Sequence, residues 1–458
     1  MKLTIIGGGG VRTPRLIPSL LRRAERLGLR EVCLMDIDTE KLHLIGGLCA
    51  AAARQQKAPF TITLTTRAEE ALSGAQHIIT SIRPGGEQGR ALDERIAFRH
   101  GVLGQETTGA AGFAMAMRSL PAILDYCRMA ERLAPNAWLY NFTNPAGLVA
   151  QGLHDAGIQR VIGICDSANG AQHAASRYLR VPLDQVRHEV YGLNHLSWTR
   201  SVRVQPDPDG SGGEEVLPAL LNDPRFIEST HMQMFDAGLR ATYPTFFNEY
   251  LHYFYHRDEA LAALLAKPET RGEETARLTA ELLERLRAAD AHNQPEQGLA
   301  VWAEVMGKRS SSYMAHARGG KPRPRMESVG EDDEGYAGVA LGCVEAIATG
   351  TPHYTGLNVP NKGAISGMAA DDVVEVICRI DGTGIQPLPI GEVHEDHLRL
   401  MQSVKRYERL AAQAILERSR MLAVEALMMH PLIGSYPLAK KLVEAFLHAH
   451  HALVGEWQ

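Results

Sequence analysis

Lys2-Leu-Thr-Ile-Ile6, running straight into Gly7-Gly8-Gly9-Gly10-Val11-Arg12-Thr13-Pro14, is the stretch whose reading decides the fold. A short, mostly apolar run of this kind forms a buried parallel strand. The glycines that end it let backbone approach a pyrophosphate where a side chain would intervene. A helix is expected from about Arg15 to Leu27, with Leu16, Ile17, Leu20 and Leu21 on one face, and its N-terminus would turn free N–H groups toward the same anion. A second strand, Glu31 to Met35, ends at Asp36. Strand, glycine-rich turn, helix, strand and acid is the order of a dinucleotide-binding unit.

In that unit Asp36 would accept from the ribose hydroxyls of the adenosine, which favours NAD over NADP, and Arg12 could pair with a phosphate. The residues assigned to the cofactor are Gly7, Gly8, Gly9, Gly10, Val11, Arg12, Thr13 and Asp36, with Arg83 from a later strand end. The fingerprint lacks its third glycine. Counted from Gly7 that position is Arg12, and counted from Gly8 it is Thr13.

The alternation continues with a strand from Phe60 to Thr65, a helix near Ala68 to Leu72 and a strand from His77 to Ile82. After the loop Arg83-Pro84-Gly85-Gly86 comes a charged helix with Arg90, Asp93, Glu94 and Arg95. Arg90 reads equally as part of a solvated face and as a phosphate or substrate contact. Gly104 to Gly112 is polar and expected to be flexible, too rich in small residues for core, ahead of a helix from Met115 to Leu133. The strand Ala137 to Tyr140 leads into Asn141-Phe142-Thr143-Asn144-Pro145-Ala146-Gly147. That turn would aim Asn144 at the nicotinamide end, or use it only as a helix cap. The strand Val161 to Ile164 ends at Cys165 and Asp166.

The fold expected is α/β. A Rossmann-type doubly wound parallel sheet over residues 1–190 is followed by an α+β domain over 191–458, as in lactate and malate dehydrogenases. Glu189 to Thr199 opens a more antiparallel region, and Gln205 to Gly213 is an exposed turn. Tyr243 to Tyr255 is dense in aromatics, most of them for packing. A charged helix from Thr275 to Ala289, a connection from Arg318 to Glu327 and a helical run from Gly338 to Ala348 precede a strand and turn at Leu357 to Gly363. Val373 to Arg379 and Pro387 to Glu392 read as strands, and Asp396 to His430 and Pro437 to His451 as helices. His448, His450 and His451 are expected to be solvated.

Composition excludes other classes. The 458 residues are 45% hydrophobic and 22% charged with a formal net charge of -5, and no basic stripe marks a nucleic-acid partner. Six scattered cysteines suit free thiols in a reducing compartment. The chain opens on a strand without a signal-peptide pattern, and no apolar run reaches the ~18 residues of a membrane span. A cytoplasmic protein with no membrane partner is expected.

The chemistry concentrates in Gly163-Ile164-Cys165-Asp166-Ser167 and Gly192-Leu193-Asn194-His195. Cys165 and His195 are too far apart for a zinc knuckle, yet at the ends of adjacent strands they could hold a divalent ion with positions open to substrate oxygens. A lone Cys after Val161-Ile162-Gly163-Ile164 is more often a small buried apolar residue.

Taken in order, the glycine loop, Met35-Asp36-Ile37-Asp38, Gln105-Glu106-Thr107, Asn141 to Pro145, Cys165-Asp166 and Gly192 to His195 resemble glycoside hydrolase family 4. These are NAD- and metal-dependent glycosidases, many acting on 6-phosphoglycosides, and an exception to two-carboxylate glycosidase chemistry. The resemblance spans nearly the whole chain. It implies NAD+ and a divalent ion, typically Mn2+, on Cys165 and His195, with Asp166 as proton donor and Tyr250 as base. Arg90, Asn144, Asn194 and Arg271 match substrate-contacting positions.

The implied reaction oxidises the sugar at C3, removes the C2 proton with metal assistance, eliminates the glycosidic oxygen, adds water and returns the hydride. Family members are generally homodimers or homotetramers. Asp after the Cys is more typical of the family's α-glycosidases, while Arg83 to Gly147 looks closer to 6-phospho-β-glucosidases, and the β branch is preferred. The first loop lacks the family's more usual serine, and Cys165 to Gly170 lacks its common proline. Arg12, Arg83, Arg90 and Arg271 could clamp a 6-phosphate, although a free sugar or a uronate would also suit arginine. The rival readings are a net NAD-dependent dehydrogenase of the 2-hydroxyacid type and a sensing protein without catalysis. Cys165, Asp166, His195 and Tyr250 together argue against the second.

Overall fold

The first strand and the glycine turn fold as their sequence dictates. The computed structural model describes residues 1–207, 212–319 and 335–458. β1 (Lys2–Ile6) and β2 (Glu31–Met35) bracket a 3-10 turn, Thr13–Arg15, and a helix, Leu16–Leu27, whose Leu16, Ile17 and Leu20 are buried. β3 (Thr61–Thr65), β4 (His77–Thr80), β5 (Trp138–Asn141) and β6 (Val161–Gly163) follow. They lie in the order β3-β2-β1-β4-β5-β6, every pair parallel. This is the doubly wound order, and it opens a crevice at the carboxyl ends of β1 and β4, where the order reverses.

The sheet does not stop at the sixth strand. β7 (Val186–Leu193) and β8 (Leu196–Val204) form an antiparallel hairpin, joined by β9 (Glu214–Glu215) and β10 (Phe246–Phe247). β11 (His353–Pro360) lies antiparallel to β6, with Asn358 opposite Gly163, and β12 (Val373–Asp381) joins β11 to β7. β13 (Gly384–Pro387) returns along β12, so that among the described residues thirteen strands make one sheet. β11 and β12 are buried almost from end to end. Their near-continuous apolar sequence follows from cover on both faces.

The structure corrects several expectations. Gly104 to Gly112 is packed rather than flexible: the helix begins at Ala110, and Gln105 and Thr108 are buried. A Cβ on Gly112 would meet the Thr107 carbonyl oxygen at 2.6 Å, so small residues here allow close packing. The Thr275 helix starts at Arg271, because Thr270 and Glu273 form a capping box. Pro387 to Glu392 is not a strand; the pairing with β12 is made by Gly384–Pro387. Asp396 to His430 is two helices, Glu395–Glu417 and Arg420–Met429, broken at Arg418 with φ +52°. Helices at Gly47–Gln55 and Pro295–Ser311 lie in Ala-rich and mixed stretches without a clear apolar stripe. Residues 208–211 of the Gln205 turn, and 320–327 of the Arg318 connection, lie outside the described residues. Among the described residues no helix is long and apolar enough to cross a membrane.

His450 is buried, not solvated. On the final helix, Tyr436–Val454, it donates from Nε2 to Asp93 Oδ1 at 2.5 Å. Asp93 also receives Arg118 Nη1 at 3.0 Å and Nη2 at 2.6 Å, so the Gly86–Arg99 helix turns charge inward. Glu375 on β12 is likewise fully buried and accepts from Ser197 Oγ at 2.6 Å and Asn194 Nδ2 at 3.2 Å.

Arg118→Met leaves Asp93 short of its bidentate partner, and urea denaturation should show a loss of about 3–5 kcal/mol; a loss below about 1 kcal/mol, the scale of an exposed pair, would refute it. Burial raises the Glu375 carboxyl from 4.5 to about 7, so the folded chain keeps a proton the unfolded chain loses across that window. Stability therefore falls as pH rises from about 4.5 to 7 and levels off above it. Glu375→Gln should flatten that slope, and an unchanged slope would count against the assignment.

Candidate active site

The crevice is a cavity of about 1600 Å³. Its floor is the glycine turn. Gly7 N and Gly8 N both donate to Met35 O at 2.8 Å, and Gly9 N donates to Asp36 Oδ2 at 3.0 Å. Gly7 has φ +96°, and a Cβ there would lie 2.2 Å from Ser81 O, so only glycine fits between β1 and β4. Asp36 braces the turn from below. Burial raises its carboxyl pKa, opposed by the N–H groups of Asp38 and Gly9.

Of the residues expected to hold a cofactor, Gly7, Gly9, Gly10, Val11, Arg12, Thr13, Asp36 and Arg83 line the cavity. Gly8 does not. It backs onto β2, where a Cβ would meet Leu34 Cβ at 2.7 Å. A bare turn ahead of a helix, with a carboxylate at the end of β2, fits a dinucleotide. The volume exceeds the ~300–1,000 Å³ of a single small-ligand site, leaving room for a substrate beside it.

Across the cavity Cys165 Sγ and His195 Nε2 are 3.3 Å apart, although 30 residues separate them in sequence. They do not come from adjacent strands as expected. Cys165 follows β6, His195 sits in the β7–β8 turn with φ +62°, and β11 and β12 lie between those strands. Among the described residues no group of three or more His, Cys, Asp or Glu converges to hold a metal. A thiol and an imidazole facing one another suit a divalent transition ion that takes its remaining ligands from elsewhere.

Both donors are braced. Cys165 Sγ lies 3.0 Å from Ser167 Oγ, which accepts from Asn248 Nδ2 at 3.1 Å, and Asn248 Nδ2 also reaches Ser197 Oγ at 3.3 Å. Asn248 Oδ1 accepts from Tyr250 N at 3.0 Å. Burial lowers the His195 pKa to about 4, which keeps the ring neutral, and raises that of the Cys165 thiol.

The Tyr250 ring stacks on His195 at 3.7 Å and 2°. Burial pushes its phenol well above the ordinary range, with Glu249 adding to the shift. Tyr313 donates to Glu249 Oε1 at 3.2 Å beside it. Asp166, one residue past Cys165, lines the cavity with its Oδ1 3.9 Å from the sulfur.

The arginines are not on a solvated face. Arg90 is 6% exposed and donates from Nε to Glu94 Oε1 at 2.8 Å. Glu106 Oε2 receives Arg83 Nη1 at 2.6 Å and pairs with Arg90 Nη1 at 3.0 Å. Those cations hold its carboxyl well below the usual range against the cost of burial. Arg271 Nη1 donates to Glu274 Oε2 and Ser312 Oγ, each at 2.7 Å. All three line the cavity but already serve carboxylates, so a phosphate there must share them.

Asn144 also lines the cavity, beside a cis bond to Pro145. Asn194 does not line it; its amide turns away to Glu375 at 3.2 Å. Gln105, Glu106, Glu249 and Tyr313 also line the cavity and Thr107 contacts His195, five residues for which no role is expected from sequence. The Gln105-Glu106-Thr107 run was recognisable as a motif, whereas nothing local to Glu249 or Tyr313 marks them.

Comparison with known proteins gives the family. The Family 4 glycosyl hydrolase model matches residues 2–181, and the model of the Family 4 glycosyl hydrolase C-terminal domain matches 190–433. A probable 6-phospho-beta-glucosidase of Bacillus subtilis is 29% identical over 100% of this chain and 98% of its own. The maltose-6'-phosphate glucosidase of Fusobacterium mortiferum is 26% identical over 98% and 97%. The structure of the 6-phospho-beta glucosidase from Thermotoga maritima, with manganese, NAD+ and glucose-6-phosphate, superposes with a TM-score of 0.82 at 27% identity over 99% of each chain. A 6-phospho-alpha-glucosidase from gut microorganisms, in complex with NAD and Mn2+, gives 0.79 at 25% identity over 100% and 99%. With its two halves matched in succession on one continuous sheet, the chain belongs to glycosyl hydrolase family 4.

Proposed function

We propose that this enzyme hydrolyses a 6-phospho-β-glucoside, using NAD+ and a divalent ion such as Mn2+. The observation that carries the reading is the meeting of Cys165, His195, Tyr250 and Asp166 in the cavity that the glycine turn floors. Gly7 to Thr13, Asp36 and Arg83 would hold the dinucleotide, and Cys165 and His195 the ion. When bound, NAD+ accepts and later returns a hydride while the ion supplies electrophilic polarisation.

The chain's residues supply the rest. Tyr250, held flat against His195, would take the proton from sugar carbon 2. Its buried phenol needs a cation nearby to release its own proton. Asp166 would protonate the departing glycosidic oxygen. Arg90, Asn144 and Arg271 would hold the sugar phosphate, with Glu94, Glu106 and Glu274 keeping the arginines in place. Tyr250 itself is 9% exposed, so little water reaches the phenol.

The 6-phospho-β-glucosidases among the relatives support the β anomer. An α reading has in its favour the Asp166 carboxylate immediately beside Cys165 and the maltose-6'-phosphate and 6-phospho-alpha-glucosidases among the relatives. Six unpaired cysteines support a cytoplasmic setting, and a homodimer or homotetramer, with domains dividing near residue 190, completes the proposal.

The test is p-nitrophenol release from α- and β-glucosides with and without a 6-phosphate, in NAD+, Mn2+ and reductant. Release is expected only from the phosphorylated β-glucoside, abolished by omitting NAD+ or Mn2+, with no net NADH. Release from the phosphorylated α-glucoside alone would establish the other anomer, and stoichiometric NADH would establish a dehydrogenase. Tyr250→Phe should lower kcat/KM by about 10²–10⁴ for every leaving group. Asp166→Asn should do so for alkyl glycosides while sparing p-nitrophenyl ones, whose phenolate leaves without a proton; equal losses on both would remove Asp166 from the acid role.

A further inference from the structure

Thr107 stands in the turn that leads into the Ala110–Leu133 helix, with its hydroxyl oxygen 2.6 Å from His195 Nδ1. The same oxygen is 2.7 Å from Gln105 Oε1. The backbone settles which end of that amide is oxygen. Thr107 N and Thr108 N both point at it, each at 2.7 Å, and two N–H donors can share only an acceptor.

A threonine hydroxyl has one proton. Facing an oxygen that only accepts, at 2.7 Å, that proton must lie between the two oxygens, which would otherwise repel. Thr107 Oγ1 therefore meets His195 with a lone pair, and the 2.6 Å contact makes the imidazole the donor. In a neutral ring protonated at Nδ1, Nε2 is bare. Nε2 is the atom 3.3 Å from Cys165 Sγ.

We infer that Gln105 and Thr107 are positioning residues that hold His195 as the Nδ1–H tautomer and so present its bare Nε2 to the divalent ion. This rests on the proposed assignment of Cys165 and His195 to that ion. Metal-bound histidines commonly donate the N–H of their second nitrogen to a carboxylate, carbonyl or water; here a hydroxyl whose own proton is spent elsewhere accepts it. His195 is 5% exposed and covered on one face by Tyr250, so solvent offers Nδ1 no ready substitute. Glu106, between the two positioning residues, takes Arg83 and Arg90, so one turn sets the substrate-side arginines and the imidazole together.

Two measurements test this on the full chain. Long-range 1H–15N spectra of the metal-free wild type, with His195 assigned by its loss in His195→Gln, should show Nδ1 protonated and Nε2 bare. A protonated Nε2 overturns the inference whatever the variants do. Mn2+ titration followed by electron paramagnetic resonance should then show Thr107→Val binding about 10–100-fold more weakly, and Thr107→Ser within about threefold of wild type. NAD+ affinity and Tm should stay unchanged in both. Wild-type Mn2+ affinity in Thr107→Val overturns the role of Thr107. Undiminished Mn2+ binding in Cys165→Ala would instead remove the metal assignment, leaving the measured tautomer to stand or fall separately.

Discussion

A single antiparallel pairing, Asn358 on β11 opposite Gly163 on β6, joins the parallel and antiparallel parts of the sheet. The approach is close. A Cβ on Gly163 would lie 2.9 Å from Asn358 Cβ and 3.0 Å from Ala146 O, so glycine is required where the two meet. The loop that carries Cys165 begins just beyond, and β12 and β7 follow in order to the His195 turn. The 3.3 Å between sulfur and imidazole is therefore set by strand registers across the middle of the sheet. Neither of the two loops could shift without breaking a buried ladder.

Polar groups beneath that junction keep it rigid. Glu375, Asn358, Asn194, Ser197 and Asn248 bond to one another and pass support outward to Ser167 and Cys165. Networks of this sort fix one arrangement to the extent that their members are partnered; here Asn358 Oδ1 alone among these five side chains is buried without a partner. Asn194 shows the division of labour. Its neighbour His195 faces the cavity, while Asn194 turns back into the network, the two together forming the turn between β7 and β8 with His195 at φ +62°.

The cavity wall applies the same logic to charge. Arg83 and Arg90 share Glu106, Arg90 also pairs with Glu94, and Arg271 pairs with Glu274, so these buried and half-buried cations carry their own counterions. Isolated charges there would be prohibitive. An anionic substrate would thus meet arginines already aligned, at the expense of sharing them.

Sequence by itself determined the parallel, glycine-turn half of the sheet and singled out the candidate site residues. β1 and β2 lie where apolar runs ended by glycine and Asp36 place them, because strand and turn signals act over a few residues. The order of short motifs was enough to gather Cys165, Asp166, His195 and Tyr250 into one reading. Tertiary structure alone decided that β11 and β12 intervene between the two candidate ligands, and that the charged Gly86–Arg99 helix and His450 are buried. It also decided that Gly104–Gly112 is packed and that Asn194 and Gly8 turn away from the cavity. Those outcomes depend on partners far along the chain, such as Asp93 for His450 and Glu375 for Asn194. No local pattern records them, because a polar residue next to a distant partner has the same sequence neighbours as one facing water.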